Sequence, residues 1–129
     1  MNDEIDFYSR DIKNFYHEDI SSYELAEKSE MVITTNSTLG FDLLARNKKT
    51  LFIDINYFLG SYLDPIINSK EGFFWYQGQE PDVIKRKIDS MLQINNDDWI
   101  KLLNESKLKM KLDPNNSILK NLVSKLLKN

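Results

Sequence analysis

Two short apolar runs, separated by a segment with helical spacing, constrain the fold of this chain most. The runs cover residues 31–35 and 49–55 and are rich in β-branched side chains. Nearly continuous apolar runs of this length are typical of strands that are buried on both faces of a parallel sheet. Between them, Phe41, Leu43 and Leu44 form the apolar side of a helix. The order strand, helix, strand with short connections predicts a βαβ unit.

The remaining elements fit the same α/β pattern. Two further strands are predicted, one at 5–8 and one over 72–76 with Phe73, Phe74 and Trp75 in the core. In the first two thirds of the chain we predict helices over 23–29, with a Ser21/Glu24 capping box, and at 64–67. Three more helices follow: one from Pro81, one over about 99–112 capped by residues 95–98, and a last one after Asp113-Pro114. We predict that the apolar stripe of the last helix, from Ile118 to Leu127, belongs to the core; the alternative is that part of it is exposed. Residues 1–129 are therefore expected to form one Rossmann-like domain, a three-layer α/β/α arrangement with a mainly parallel sheet and a helical C-terminal extension over about 96–129.

Composition excludes several kinds of site. The chain has no cysteine, so disulfides, thiolate metal sites and cysteine nucleophiles are ruled out. His17 is its single histidine, so a multi-histidine metal site cannot form within the chain. We therefore expect no metal and no cofactor. The N-terminus is acidic, unlike a signal or transit peptide, and no run approaches the roughly 20 apolar residues of a membrane span, so the expected location is the cytoplasm.

Charge is spread unevenly along the chain. The formal net charge is −3, yet from Trp99 onward there are seven lysines against only Glu105 and Asp113. The overall balance does not match the broad basic face of a nucleic-acid binder, so we expect no nucleic-acid partner. The lysine-rich C-terminal helices allow a peripheral contact with the inner face of an anionic membrane. The simpler interpretation of these lysines is a set of solvated helix faces.

Small polar residues form a turn between the first buried strand and its helix. Asn36, Ser37, Thr38, Leu39 and Gly40 place hydroxyl groups and backbone N–H groups at a helix N-terminus, which carries a partial positive charge. Such a turn can hold a phosphate group. The alternative is ordinary N-capping by Asn36 or Ser37, which requires no ligand.

Other polar residues are candidates for the same cleft. Asp42 follows Thr38 by four residues and lies on the same side of the helix, where its carboxylate could accept hydrogen bonds from a ribose diol. The alternative for Asp42 is a favourable charge near a helix N-terminus. His17, Asn56 and Tyr57 are possible cleft-lining residues because they fall in loops near the predicted strand ends; the alternatives are a surface histidine and simple loop packing.

Residues 23–92 resemble the C-terminal, donor-binding half of GT-B glycosyltransferases. The closest likeness is to bacterial surface-polysaccharide transferases and CDP-glycerol glycerophosphotransferases. It rests on a helix ending LAEKSE, the strand MVITT, the turn NSTLGFD, then LLARNKK and the strand TLFI. The resemblance implies that the turn at 36–40 holds the donor diphosphate and that Asp42 holds the ribose or sugar. Most sugar transferases have glutamate at the position of Asp42 and glycine at that of Asn47.

The resemblance implies a function as well as a fold. It implies a domain that binds a nucleotide-sugar or CDP-polyol donor in a glycosyltransferase of surface-polysaccharide biosynthesis, such as that of a capsule. A complete GT-B enzyme also needs an N-terminal acceptor domain, so we expect the 129-residue domain to be inactive alone, and no catalytic residue is identified. The alternatives are one half of a nucleotide-sugar 2-epimerase and a non-catalytic Rossmann-like interaction module.

Overall fold

The computed structural model describes residues 19–35, 37–55, 69–106, 108 and 115–127. Within them the elements are α1 (Ser22–Lys28), β1 (Val32–Thr34), α2 (Thr38–Ala45), β2 (Thr50–Ile53), β3 (Glu71–Gly72), β4 (Trp75–Tyr76), α3 (Pro81–Gln93), α4 (Asn96–Glu105) and α5 (Ser117–Leu126). The strand predicted at 5–8 and the helix predicted at 64–67 lie outside the described residues.

The described strands form one mixed sheet in the order β1-β2-β4-β3. β1 pairs with β2 in parallel, with Ile33 opposite Leu51, and β2 pairs with β4 in parallel, with Phe52 opposite Trp75. Only β3 runs antiparallel to its neighbour among these strands. The predicted α/β class with a mainly parallel sheet is therefore confirmed.

β2 is buried, as the sequence predicted, and it lies between β1 and β4 in the sheet. The ring of Phe52 lies 5.1 Å from that of Phe41, so this side chain faces α2. Leu51 and Ile53 alternate with Phe52 along the strand and therefore face the opposite side of the sheet. All three are buried. Protein thus covers both faces of β2, which fits the predicted three-layer arrangement.

The prediction of burial on both faces was wrong for β1. Within the described part of the chain, β1 pairs with β2 alone. Ile33 is 49% exposed. It borders a pocket of about 270 Å³ between α1 and the strand, which Leu25, Ala26 and Val32 also line. An apolar β-branched run shows that a strand forms but does not show how many neighbours it has.

A tight hairpin replaces the single strand predicted over 72–76. Gly72 pairs with Trp75 in antiparallel register, so Phe73 and Phe74 form the turn between β3 and β4. Phe74 is fully buried, as predicted, whereas Phe73 is exposed at the turn. Trp75 packs against the core without being fully buried. The prediction failed because two strands of two residues each lack the length over which alternation can be recognised.

Helix boundaries follow local capping. The predicted cap of α1 is confirmed, since the hydroxyl of Ser21 accepts a hydrogen bond from the Glu24 N–H at 3.2 Å. Asn95 caps α4 in the same way, accepting from the Asp98 N–H at 2.9 Å. Asn47 ends α2 in the left-handed region, with φ at 62°, as predicted. α4 ends at Glu105 instead of near residue 112, because Ser106 is already extended and its N–H bonds back to Leu103.

The stripe of the last helix is not part of the core. No residue of α5 is buried, and the exposed fraction of its apolar side chains runs from 44% for Val123 to 74% for Leu126. The sequence prediction was therefore wrong here. Periodicity shows that a helix has an apolar face but does not show which surface that face meets.

None of the helices within the described residues has both the length and the apolar character of a membrane-spanning helix.

Candidate ligand site at the carboxyl edge of the sheet

Polar residues follow each of the three parallel strands where the strand ends. Thr35 comes directly after β1, Asp54 after β2 and Gln77 after β4. Because these strands are parallel and adjacent, the three positions lie along the same edge of the sheet. In open α/β sheets, ligands bind beyond the carboxyl ends of the strands. This edge is therefore the candidate site.

Ser37 caps the helix that follows β1. Its hydroxyl accepts a hydrogen bond from the Leu39 N–H at 3.2 Å, and its carbonyl accepts one from the Gly40 N–H at 3.0 Å. The alternative of ordinary capping by Ser37 is thus present in the structure. Both N–H groups already have acceptors within the turn, so they are not open to a phosphate as the chain stands.

Thr38 is the available hydroxyl of this turn. It is the first residue of α2 and is exposed. Within the residues that the structure describes, its side chain forms no hydrogen bond. An exposed hydroxyl at the first turn of a helix is well placed to donate to an anion that the helix dipole attracts. Asn36, which was predicted for the same turn, lies outside the described residues.

Gly40 is required by packing between α2 and the sheet. It is buried, and a Cβ added to it would lie 2.7 Å from Phe52 Cζ and 2.7 Å from the Cγ2 of Thr34. Carbon atoms do not approach this closely without displacement. The missing side chain therefore brings the start of α2 against the sheet, whether or not a ligand binds.

Asp42 already has two partners. Hydrogen bonding to the Asp42 carboxylate and the negative charge of that carboxylate raise the pKa of Tyr23. Arg46 Nε lies 3.6 Å from Asp42 Oδ2, and its guanidinium carbon lies 5.7 Å from the centre of the Tyr23 ring. The side chain of Asp42 is still 33% exposed. A carboxylate accepts about four hydrogen bonds, so a ribose diol could bind beside the present partners.

Asp54, like Thr35 and Gln77, is a residue of this edge that was not among the predicted site residues. It lies directly after β2 and is fully buried. Its backbone N–H donates to the Tyr76 carbonyl at 2.8 Å, which extends the ladder between β2 and β4 by one residue. A carboxylate between Ile53 and Ile55, at the end of an otherwise apolar run, was the available signal. The apolar pattern predicts a strand over the whole run 49–55, so it does not separate Asp54 from the strand.

The loop after β4 closes over the end of β2. The Gln79 side-chain amide donates to the Ile55 carbonyl at 2.9 Å and so ties the two strand ends together. The Tyr76 hydroxyl donates to Glu80 Oε2. This bond raises the pKa of Tyr76, and the same bond is the largest cause that lowers the pKa of Glu80. Its effect is to hold Glu80 as a carboxylate at the start of α3.

The structure brings only part of the predicted site together. Ser37, Thr38, Leu39 and Gly40 form one turn, with Asp42 on the next turn of the same helix. His17, Asn56 and Tyr57 lie outside the described residues, so their predicted cleft-lining role stays a prediction. Among the described residues, no group of three or more histidine, aspartate or glutamate side chains could hold a metal ion.

Comparison with known proteins gives one finding. A family model described as "putative O-antigen biosynthesis protein" matches residues 1–127. No curated protein and no solved structure matches the chain significantly. The family match covers almost the whole chain, including the turn at 37–40 and the strand ends of the candidate site. Its description supports a context of surface-polysaccharide biosynthesis.

Proposed function

Since the chain belongs to this O-antigen biosynthesis family, we propose that it binds the donor substrate in a glycosyltransferase that builds a surface polysaccharide. The donor would be a nucleotide sugar or a CDP-polyol. Polysaccharide synthesis consumes activated sugars, and a nucleoside diphosphate is the part of such a donor that a helix N-terminus can bind. The family match supports the biosynthetic context, and the arrangement of the sheet edge supports the binding role.

One observation carries the proposal: the exposed hydroxyl of Thr38 stands at the N-terminus of α2, just beyond the carboxyl end of β1. Backbone N–H groups at such a terminus carry partial positive charge. A hydrogen bond from the Thr38 hydroxyl to a diphosphate is charge-assisted, and is therefore stronger than a bond between neutral groups.

The proposed roles divide along the turn. Thr38 donates to the diphosphate, Ser37 holds the turn through its cap, and Gly40 lets the helix start close to the sheet. Asp42 accepts hydrogen bonds from the ribose or sugar, with Tyr23 and Arg46 keeping its carboxylate in place. Leu39 contributes through its backbone N–H, which binds the Ser37 hydroxyl and so holds the turn.

Binding of this kind would assist the departure of the nucleoside diphosphate. Fixed donors directed at the phosphate oxygens stabilise the negative charge that develops as the glycosidic bond of the donor breaks. A second domain would bind the acceptor and supply a general base. We therefore expect the 129-residue chain to bind a nucleoside diphosphate without turning it over.

Calorimetric titration of UDP, CDP, GDP and pyrophosphate against the chain tests the proposal. Thr38→Ala should weaken diphosphate binding by about 1.5–3 kcal/mol, the usual contribution of a hydrogen bond to a charged group. Its thermal melt should stay close to that of the wild type, because Ser37 still caps the helix. Asp42→Asn should weaken nucleoside diphosphate binding and leave pyrophosphate affinity unchanged.

Ser37→Ala is the matched control for the turn. It removes the capping hydroxyl and should lower the free energy of unfolding by about 0.5–2 kcal/mol. A stability loss in Ser37→Ala with unchanged ligand affinity in Thr38→Ala and Asp42→Asn would contradict the proposal. That outcome would favour the interaction module, which the observed cap and the two partners of Asp42 also fit.

A further inference from the structure

The last helix presents an apolar face that no part of the described structure covers. Along α5 and its first following residue, the exposed apolar side chains are Ile118, Leu119, Leu122, Val123, Leu126 and Leu127, between 44% and 82% exposed. A helix of ten residues is marginally stable in water by itself, and helices of this length usually depend on burial of their apolar face. The exposed face therefore indicates a surface that docks against something.

The lysines of α5 lie at the borders of this apolar face, and its uncharged polar residues lie on the opposite side. At about 100° per residue, Leu119, Leu122 and Leu126 form the centre of the apolar stripe, with Ile118 and Val123 at its two sides. Lys125 lies next to Ile118 and Lys120 lies beyond Val123, so one lysine flanks each border. The side opposite the stripe carries the uncharged residues Ser117, Asn121 and Ser124.

The charge of α5 distinguishes between two surfaces that could cover its apolar face, a second copy of the chain and an anionic surface. Residues 115–127 contain Lys120 and Lys125 and no acidic residue, although the whole chain has a net charge of −3. A second copy docked through the same face would bring like charges together along both borders. An anionic surface would instead attract them. Lysines at the borders of an apolar stripe can extend their charged ends away from the apolar layer, as they do at membrane interfaces.

We propose that α5 lies in the interface of a membrane that contains anionic lipids. Its leucine stripe enters the boundary between headgroups and acyl chains, and Lys120 and Lys125 contact lipid phosphates. The helix is parallel to the membrane plane, because ten residues are too few to span a bilayer. This inference is independent of the donor site, since none of its residues belongs to the carboxyl edge of the sheet.

Vesicle flotation of the 129-residue chain tests the inference. The probe is phosphatidylcholine vesicles with about 30% phosphatidylglycerol, compared with phosphatidylcholine alone, at low and high salt. The wild type should bind the anionic vesicles more strongly, and high salt should weaken that binding. Circular dichroism should show more helix when these vesicles are added, because burial of the apolar face stabilises α5.

Paired substitutions separate the contribution of the apolar side chains to membrane binding from that of the lysine charges. Leu119→Gln with Leu122→Gln should reduce partitioning at least tenfold on both kinds of vesicle, through loss of apolar burial. Lys120→Gln with Lys125→Gln should reduce it by about fivefold per lysine on anionic vesicles only. The matched control, Asn121→Gln with Ser124→Gln, changes the polar side and should leave partitioning unchanged.

Three outcomes would overturn the inference. The first is that the wild type does not float with anionic vesicles, and the second is that the double leucine variant binds them as well as the wild type. The third is that ultracentrifugation without lipid shows a dimer that the leucine variant disperses, which would assign the face to a second copy. Equal thermal melts of the wild type and all variants would show that the fold is intact in each comparison.

Discussion

Gly40 lies so close to Phe52 that α2 can approach β2 only because residue 40 has no side chain. A Cβ there would lie 2.7 Å from the Phe52 Cζ atom, and Phe52 is itself only 1% exposed. The Phe52 ring also contacts Phe41 in the next position of the helix. The ring therefore has little room to move aside.

Gly40→Ala should lower the free energy of unfolding by up to about 2 kcal/mol. Overpacking of a core commonly costs about 1–3 kcal/mol, and the better helix propensity of alanine returns at most about 1 kcal/mol. Urea denaturation measures the difference. Adding Phe52→Leu, which removes the nearest ring atoms, should reduce the effect of alanine at position 40. A Gly40→Ala protein that is more stable than the wild type would show that helix propensity outweighs packing at this position.

The indole of Trp99 joins α4 to the end of α2. Its Nε1–H donates to the Asn47 carbonyl at 2.8 Å, and the side chain is 1% exposed. Trp99→Phe leaves that carbonyl without its donor and should lower the free energy of unfolding by about 1–3 kcal/mol. Chemical denaturation, followed by far-UV circular dichroism because the substitution removes a tryptophan, measures the loss.

Trp75→Phe is the matched control for Trp99→Phe. Both indoles stand nearly perpendicular to the Phe74 ring, with centroid distances of 5.2 Å for Trp75 and 5.3 Å for Trp99. The Trp75 indole, however, donates a longer bond, 3.3 Å to the Ser69 carbonyl, in an exposed position. Trp75→Phe should therefore destabilise the protein less. Equal losses would mean that ring packing, and not the hydrogen bond, sets the contribution of Trp99.

The Tyr76 hydroxyl controls the ionisation of Glu80. Its hydrogen bond is the largest cause that holds the Glu80 pKa below the ordinary value of 4.5. A lowered pKa in the folded state stabilises the protein above pH 4.5, and this stabilisation is lost as the pH falls through the folded value. Tyr76→Phe should raise the Glu80 pKa, which carboxyl NMR titration can measure. Tyr23→Phe removes a hydroxyl bonded elsewhere and should leave the Glu80 pKa unchanged.

The sequence predicted the centre of the fold well, because local signals there agree with the tertiary structure. The apolar run of β2, the Asn47 stop and the caps at Ser21 and Asn95 all act over a few residues, and the structure confirms each of them. Features that depend on distant partners were not predictable in this way. The exposure of Ile33 depends on the number of strands beside β1, which the run itself does not encode.

In the candidate site, too, the sequence predicted the local features but not those that depend on distant residues. The sequence placed a polar turn at a helix start, and the structure has Ser37 and Thr38 there. It could not show that Ser37 would use its hydroxyl as the cap while Thr38 stayed exposed, because serine and threonine hydroxyls are both good N-caps. The partners of Asp42 were also unforeseen, since Tyr23 comes from another helix.

The cluster of Tyr23, Asp42 and Arg46 gives opposite predictions for two substitutions. The hydrogen bond to Asp42 and its negative charge raise the Tyr23 pKa above 10.0, and the Arg46 charge lowers it by a smaller amount. Asp42→Asn keeps an oxygen acceptor but removes the charge, so the Tyr23 pKa should fall towards 10.0. Arg46→Gln removes the opposing charge, so the Tyr23 pKa should rise further.

NMR titration of tyrosine ring carbons measures both shifts, with the Tyr23 signal assigned through Tyr23→Phe. In the wild type, the raised pKa stabilises the folded state below pH 10, and this contribution is lost as the pH rises through the folded value. Asp42→Asn should therefore make alkaline unfolding begin at lower pH than in the wild type. If both substitutions moved the Tyr23 pKa in the same direction, the cluster would not be acting through charge.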